Sequence, residues 1–444
     1  MINDMVSFLT FPKGGVHPPD AKELTSDLAV EEMGVPAELE IILAQHIGAP
    51  CTPTVARKDR VGEGDVIGEV AKGLGVPLHA PAAGVVKAFG MSAHPMRVSA
   101  PSITIKTDPD APARQYQKID WQGFGKEELL KKVHDAGIVG VGGAGFPTHV
   151  KLNPPPDNPV DTLILNGAEC EPYITADYRQ MLESSGEIVE GARIILKILG
   201  IKKCLIGIEK NKPEAIRLMS EAAAAASTDD CRIEVRPLQV KYPQGSEKQL
   251  IQTLTGRKVP AFALPSAVGA VVHNVSTTKA IYDAVVLDKP LYEKIVTISG
   301  KGIKRPANLR VKVGTRLSDI VEYLGGVTLE LSKVVMGGPM MGFAVSSLDI
   351  PVTKTTSAVL FLAEDEIDNT PHSQCIRCGW CIEACPMGLE PKEIGLYVEA
   401  GRPEDTGRFG VFECFECGCC SYICPAKRPL VQFARLAKMK AKHQ

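Results

Sequence analysis

The residues able to do chemistry gather near the end of the chain. Cys375, Cys378, Cys381 and Cys385, followed by Pro386, recur in spacing as Cys414, Cys417, Cys420 and Cys424, followed by Pro425. Each half reads C-x2-C-x2-C-x3-C-P, the run that holds cubane [4Fe–4S] clusters. Two-residue spacings let one tight loop wrap three thiolates around three corners of a cube. The fourth Cys lies too far along to join them and ligates the other cluster. The spacing therefore predicts one centre on Cys375, Cys378, Cys381 and Cys424, and a second on Cys414, Cys417, Cys420 and Cys385. Zinc shares the C-x2-C spacing but is satisfied by two such pairs, whereas here a third Cys and x3-C-P follow, twice over. Cys419 is the surplus thiol of the second motif and is read as a spectator.

A second constellation is glycine-rich: Gly140-Val-Gly-Gly-Ala-Gly145, with Phe146 and Lys151 just beyond. It follows no strand of a βαβ unit, so it is not a dinucleotide fingerprint. Its backbone N–H groups can still form an anion nest, with Lys151 as a point charge; the alternative is a plain tight turn. Glu169 and Glu171 flank Cys170 after a predicted strand, where α/β sheets bind ligands. The alternative for both is a solvated loop, and Cys170 itself reads as packing. His17, His79, His149 and His273 lack metal-ligand spacing and read as structural.

These groups must be positioned by roughly three or four domains, given 444 residues. The formal charge of -2 carries no nucleic-acid footprint. Eight of 13 cysteines belong to the two motifs; Cys51, Cys204 and Cys231 sit in apolar segments, and the usage implies a reducing compartment. The opening MINDMVSFLTFPKGG lacks the pattern of a signal peptide. The most apolar stretch, Ala261 to Val272, is broken by Pro265 and too short to span a bilayer, so membrane attachment is expected through a partner.

In chain order, short Gly- and Pro-punctuated strands come first, which predicts a small barrel or sandwich. Alternating strands (Thr162–Leu165, Lys203–Ile208, Arg232–Val235) and helices (Ile188–Leu199, one starting at Pro213, Glu247–Leu254) predict a parallel sheet with crossover helices. Short strands around one helix, Leu317–Leu324, then predict a β-grasp-like unit. The acidic Glu364–Asp368 reads as a linker into a mostly helical cysteine domain. The basic stretch Arg435 to Lys442 reads as a solvated helix face.

Several motifs carry a resemblance. Val61-Gly-Glu-Gly-Asp-Val-Ile-Gly with His79-Ala-Pro-Ala-Ala-Gly-Val resembles the paired hairpins of barrel-sandwich hybrids, without their acceptor lysine. Gly142-Gly-Ala-Gly-Phe-Pro-Thr, Asn166-Gly-Ala-Glu-Cys-Glu-Pro172, Gln244-Gly-Ser-Glu247 and His273-Asn-Val-Ser276 occur in the order of the 51-kDa FMN- and NADH-binding subunit of respiratory complex I. With the opening Phe11-Pro-Lys-Gly-Gly-Val-His-Pro18, the chain is more similar to the C subunits of Rnf-type ion-translocating ferredoxin–NAD oxidoreductase complexes.

The resemblance implies a barrel-sandwich hybrid over 1–115, a Rossmann-like α/β domain for FMN and NAD(H) over 116–290, an SLBB-type β-grasp domain over 291–363, and a helical ferredoxin-type domain with two [4Fe–4S] clusters over 364–444. It implies Gly142, Gly143, Ala144 and Gly145 along the FMN phosphate with Lys151 nearby. Asn166, Glu169, Gly245 and Asn274 would lie on the flavin ring and ribityl chain, with Tyr242 lining the site. Phe146 would stack on the nicotinamide nucleotide, with Glu171 and Glu247 as its polar contacts. No general acid or base is expected, because a flavin itself converts a hydride pair into single electrons.

The implied role is a peripheral subunit on the cytoplasmic face of the cell membrane. It would pass electrons between NADH, FMN, two clusters and the membrane or cofactor-bearing partner subunits, with ferredoxin reached through the complex. Na+ or H+ transport would be coupled to that flow. The alternatives are a soluble diaphorase-type subunit of a hydrogenase or dehydrogenase, and an iron–sulfur relay whose nucleotide site has decayed. Val141, Ala168 and Ser246 stand where the complex I pattern has Arg, Asp and Glu, and these departures are what the last alternative rests on.

Overall fold

The computed structural model describes residues 8–95 and 97–441. Residues 1–7 of the opening segment, and Lys442 of the basic stretch, lie outside the described residues.

The centre of the molecule is a four-stranded parallel sheet. Its strands run in the order Arg232–Leu238, Lys203–Glu209, Thr162–Gly167, Ala270–Asn274. Leu163-Ile164-Leu165 is an uninterrupted apolar run because both sheet faces are covered. Leu163 and Leu165 pack under the helices Ser185–Leu199, Pro213–Ala226 and Val275–Val286, while Ile164 packs on the other face against Leu250 and Ile251 of the helix Glu247–Thr255. Pro213 opens its helix, where a missing N–H costs nothing, and Gly200 in the left-handed region ends the preceding one. The chain passes from Thr162–Gly167 to a strand on one side and later to Ala270–Asn274 on the other. That reversal opens a crevice at the carboxyl ends of the strands. The edge strand Ala270–Asn274 and its following helix were not anticipated from the sequence.

The barrel-sandwich hybrid is present. A sheet of Glu38–Ile42, Arg97–Thr107, Gly84–His94 and Arg60–Val61 faces a small sheet of Thr52–Pro53, Val66–Glu69 and Leu78–His79 across a core of Leu39, Ile41, Ile67, Leu78 and Ile105. The β-grasp unit is a six-stranded mixed sheet with the helix Leu317–Tyr323. Its edge strand is Val30–Glu32, paired in parallel with Ala307–Lys312.

Residues 8 to about 32 add no strand to the two barrel sheets. They form a strap across the other domains. Leu9 bridges Leu238 of the parallel sheet, Val16 bridges Tyr242, and Gly15 N–H donates to Ala384 O at 2.9 Å in the cysteine domain. The strap is held by what it buries, Phe11 and Val16 above all. Gly14, at φ +69°, lies so close to Cys385 that a Cβ there would sit 2.6 Å from its carbonyl carbon.

The cysteine domain is helical, with Trp380–Glu383, Pro391–Glu399, Cys419–Tyr422 and Leu430–Lys440. Two sequence expectations about its flanks change. Glu366 is no free linker residue: its carboxylate accepts from Lys301 N–H (2.8 Å), Ala363 N–H (2.9 Å) and Tyr173 Oη (3.1 Å). The basic C-terminal helix is not simply solvated either. Arg435 and Lys438 both reach Glu416 at 2.7 Å, and Lys438 also donates to Cys414 O at 2.5 Å.

Candidate functional site

Each cysteine motif folds the same way. Arg377 (φ +58°) and Gly379 (φ +84°) in the first loop correspond to Glu416 (φ +62°) and Gly418 (φ +84°) in the second, and each glycine starts a one-turn helix. Alternating left-handed residues curl the loop so that three side chains face one point. Cys375, Cys378, Cys381 and Cys424 line one cavity, and Cys385, Cys414, Cys417 and Cys420 line another, which Cys419 also borders. In each cavity the fourth cysteine comes from the other motif. The cavities measure about 360 and 460 Å³ with their open sides counted. Among the described residues no three His, Cys, Asp or Glu side chains converge as ligands of a single ion. Four thiols ringing a void suit a multinuclear cluster better than mononuclear zinc. Backbone N–H groups also point at sulfur, Leu389 to Cys385 Sγ at 3.3 Å and Glu416 to Cys414 Sγ at 3.4 Å.

The crevice of the parallel sheet is a cleft of about 2640 Å³, open mouth included. Its enclosed part, about 780 Å³, falls within the 300–1,000 Å³ typical of small-molecule sites. All of Gly142 to Phe146, Lys151, Asn166, Glu169, Glu171, Tyr242, Gly245, Glu247 and Asn274 line it. The glycine turn is closed by the bridge between Val139 and Pro147 and packs on Asn274: a Cβ at Gly142 would lie 2.8 Å from Asn274 Nδ2. Asn166, next to last in its strand, pairs with Asn274 and donates from Nδ2 to Gly245 O at 2.8 Å. Asn274 caps the helix Val275–Val286, accepting from Ser276 N–H (2.8 Å) and Thr277 N–H (3.4 Å). Lys151 and Glu247 pair at 2.5 Å, both partly exposed. Phe146 is 36 % exposed, an aromatic face available to a second ring.

The two acidic residues are more committed than the sequence suggested. Glu169, at φ +46°, accepts from Asp177 N–H (2.7 Å) and Tyr178 N–H (3.2 Å) at the start of the helix Ala176–Glu183. Burial raises its pKa, against the opposing charge of Lys22. Glu171 accepts from Met340 N–H (3.1 Å) and Met341 N–H (3.0 Å) in a β-grasp turn, and burial pushes its pKa up to about 7. Tyr242 Oη stands 3.3 Å from Glu171 and donates to Cys417 O at 2.8 Å. One buried tyrosine thereby joins the cleft, the β-grasp turn and the second cysteine loop.

Comparison with known proteins matches this architecture domain by domain. Residues 9–110 match an RnfC barrel-sandwich hybrid domain, 133–283 a Nuo51 FMN-binding domain, 295–344 an SLBB domain and 367–425 a 4Fe-4S dicluster domain. The C subunit of the proton-translocating ferredoxin:NAD(+) oxidoreductase complex of Clostridium ljungdahlii is 43% identical over 433 residues, covering 96% of this chain and 93% of that protein. Its counterpart in the Na(+)-translocating complex of Acetobacterium woodii is 41% identical over 430 residues, 96% of each chain. The chain belongs to the Rnf-type C-subunit family. A crystal structure of NAD+-reducing [NiFe]-hydrogenase shares the fold at TM-score 0.50 and 17% identity, over 72% of this chain and 61% of that one.

As a C-subunit family member the chain is an oxidoreductase subunit with an FMN-binding domain and a [4Fe–4S] domain. Among the described residues no helix is long and apolar enough to cross a membrane. The departures from the complex I pattern have structural homes. Val141 and Ala168 lie in the two cores flanking the sheet, and Ser246 turns its hydroxyl to Gln249 at 2.6 Å. Cleft residues the sequence reading missed include Asp177, Ser276, Thr277 and Lys294. Asn274-Val-Ser-Thr277 is a helix-start signature that would have signalled two of them. Lys294 comes from the β-grasp strand Glu293–Ser299, and no local pattern connects it to the cleft.

Proposed function

We propose that the chain is the nicotinamide-nucleotide module of a membrane-bound, ion-translocating electron-transfer complex. FMN and NAD(H) occupy the cleft, and one [4Fe–4S] cluster occupies each cysteine cavity. The observation that carries this reading is a shared wall: Cys414 and Phe415 line both the cleft and the second cavity. A cofactor in the cleft would therefore lie next to the centre on Cys385, Cys414, Cys417 and Cys420. The centre on Cys375, Cys378, Cys381 and Cys424, whose Cys378 is exposed, would be the contact with partner subunits.

The flavin supplies the conversion between a two-electron hydride and single electrons. The chain's own residues bind and orient. The glycine turn offers N–H groups to an anion beside the positive end of the Val275–Val286 helix, Asn166 and Gly245 border the ring site, and Phe146 offers a stacking face. Hydride transfer needs the two rings within about 3–3.5 Å, which favours rigid positioning over any acid or base. The lack of a spanning helix among the described residues supports a peripheral subunit, which we put on the cytoplasmic face. Ferredoxin would meet the complex through another subunit. The two relatives differ in the ion their names give, H+ or Na+.

The test is anaerobic reconstitution with iron, sulfide and FMN, followed by NADH, with visible and EPR spectra recorded. Stoichiometric FMN, about eight irons per chain and NADH-driven bleaching of flavin and then clusters is the expected result. Clusters reducible by dithionite but not NADH, with no retained flavin, would turn the reading to a relay without a nucleotide site.

A further inference from the structure

Lys294 belongs to the β-grasp domain, yet its side chain crosses the domain boundary and enters the cleft wall at 9 % exposure. Its ammonium donates to Lys354 O at 3.0 Å and to Val141 O at 3.4 Å. Two carbonyls leave the third N–H of an ammonium unused.

Other cations of the cleft are neutralised. Lys279 pairs with Asp283 at 2.7 Å, Lys289 with Glu293 at 2.6 Å, and Lys151 at the rim with Glu247 at 2.5 Å. Among the described residues Lys294 has no carboxylate within 4 Å, the reach of a salt bridge. The acid nearest in effect is Asp177, whose oxygens take Asn274 Nδ2 and Ser276 Oγ, each at 2.6 Å. Burial pushes the Lys294 pKa down to about 7, as expected of an ammonium waiting for a counter-charge.

The position is also specific. Val141 opens the Gly142–Gly145 turn. Its carbonyl faces Lys294, and its N–H donates to Thr277 Oγ1 at 3.1 Å in the first turn of the twelve-residue helix Val275–Val286. A buried charge, a helix N-terminus and exposed glycine N–H groups thus meet around one peptide unit. Each favours an anion, and their combination favours a multiply charged one.

We propose that Lys294 binds the phosphate monoester of the flavin nucleotide, with the glycine turn and the start of the Val275–Val286 helix completing the site. This deepens, and rests on, the reading that the cleft holds FMN. Lys151, partly exposed and already paired, is then a rim charge.

The test compares FMN with riboflavin, which lacks the phosphate, on the purified full chain by flavin fluorescence. Wild type is expected to bind FMN the more tightly. Lys294→Met should weaken FMN about ten- to a hundred-fold and leave riboflavin unchanged, as loss of one charge-assisted contact predicts. Lys294→Arg should retain most of the FMN preference. If Lys294→Met fails to fold, Lys294→Gln, which can still donate to the same carbonyls, decides the matter. A variant that keeps the wild-type FMN-to-riboflavin ratio, whether both affinities fall together or neither does, would overturn the proposal. Wild type that binds neither flavin would overturn the cleft reading and this inference with it.

Discussion

The two cysteine loops share a backbone and differ in everything around it. Trp380, two residues after Cys378, is 50 % exposed, and Ile376 is 66 % exposed. The residue matching Trp380 in the second loop is Cys419, which is fully buried, with its thiol directed at Tyr242 O. Arg377 of the first loop becomes Glu416 in the second, clamped by Arg435 and Lys438. The same local code therefore makes one cavity near the surface and one held between three domains. Spacing sets the cavity; the surroundings set what lies against it.

The sharpest way to break this comparison is to remove one centre at a time. Cys414→Ala should abolish NADH-driven reduction of the remaining centre, a loss above a hundredfold by stopped-flow. Cys378→Ala should leave the buried centre reducible by NADH while transfer to an external acceptor collapses.

The next effect is on pH dependence. Burial lifts the folded-state pKa of Glu171 from 4.5 to about 7. Between those values the folded state holds a proton that the unfolded state has lost, so this group's contribution to stability falls as pH rises through that window. Glu171→Gln cannot titrate. Its stability relative to wild type should therefore rise by roughly 3 kcal/mol between about pH 4.5 and 8 in paired denaturant titrations.

Gly14→Ala forces a Cβ against Cys385 at a left-handed φ and should cost on the order of 2 kcal/mol, with lower iron content, as read by melting and iron assay. Tyr242→Phe removes the donor to Cys417 O and should cost about 1–2 kcal/mol. It should also shift the EPR midpoint of the buried centre only. Trp380→Ala, the smallest change, should leave stability within about 0.5 kcal/mol.

The sequence exposed what is encoded locally. The two C-x2-C-x2-C-x3-C-P runs needed no tertiary information to predict crossed cavities, and period and punctuation were enough for three of the four central strands. The fourth, Ala270–Asn274, was overlooked because the stretch around it was weighed as a membrane span and not as a buried edge strand. Tertiary contributions stayed hidden. Glu169 and Glu171 line the cleft, and no local pattern announced that a helix start and a β-grasp turn also hold their oxygens. Neither the strap over residues 8–32 nor Lys294 has a local pattern, since each acts on a domain distant in sequence.

The order in which the centres fill tests the account most directly. Rapid-freeze EPR after mixing the reconstituted chain with NADH would resolve the two signals, assigned with Cys378→Ala and Cys414→Ala. The account predicts that the signal lost in Cys414→Ala rises first and the one lost in Cys378→Ala follows. The reverse order, or a surface centre that fills at the wild-type rate in Cys414→Ala, would contradict it.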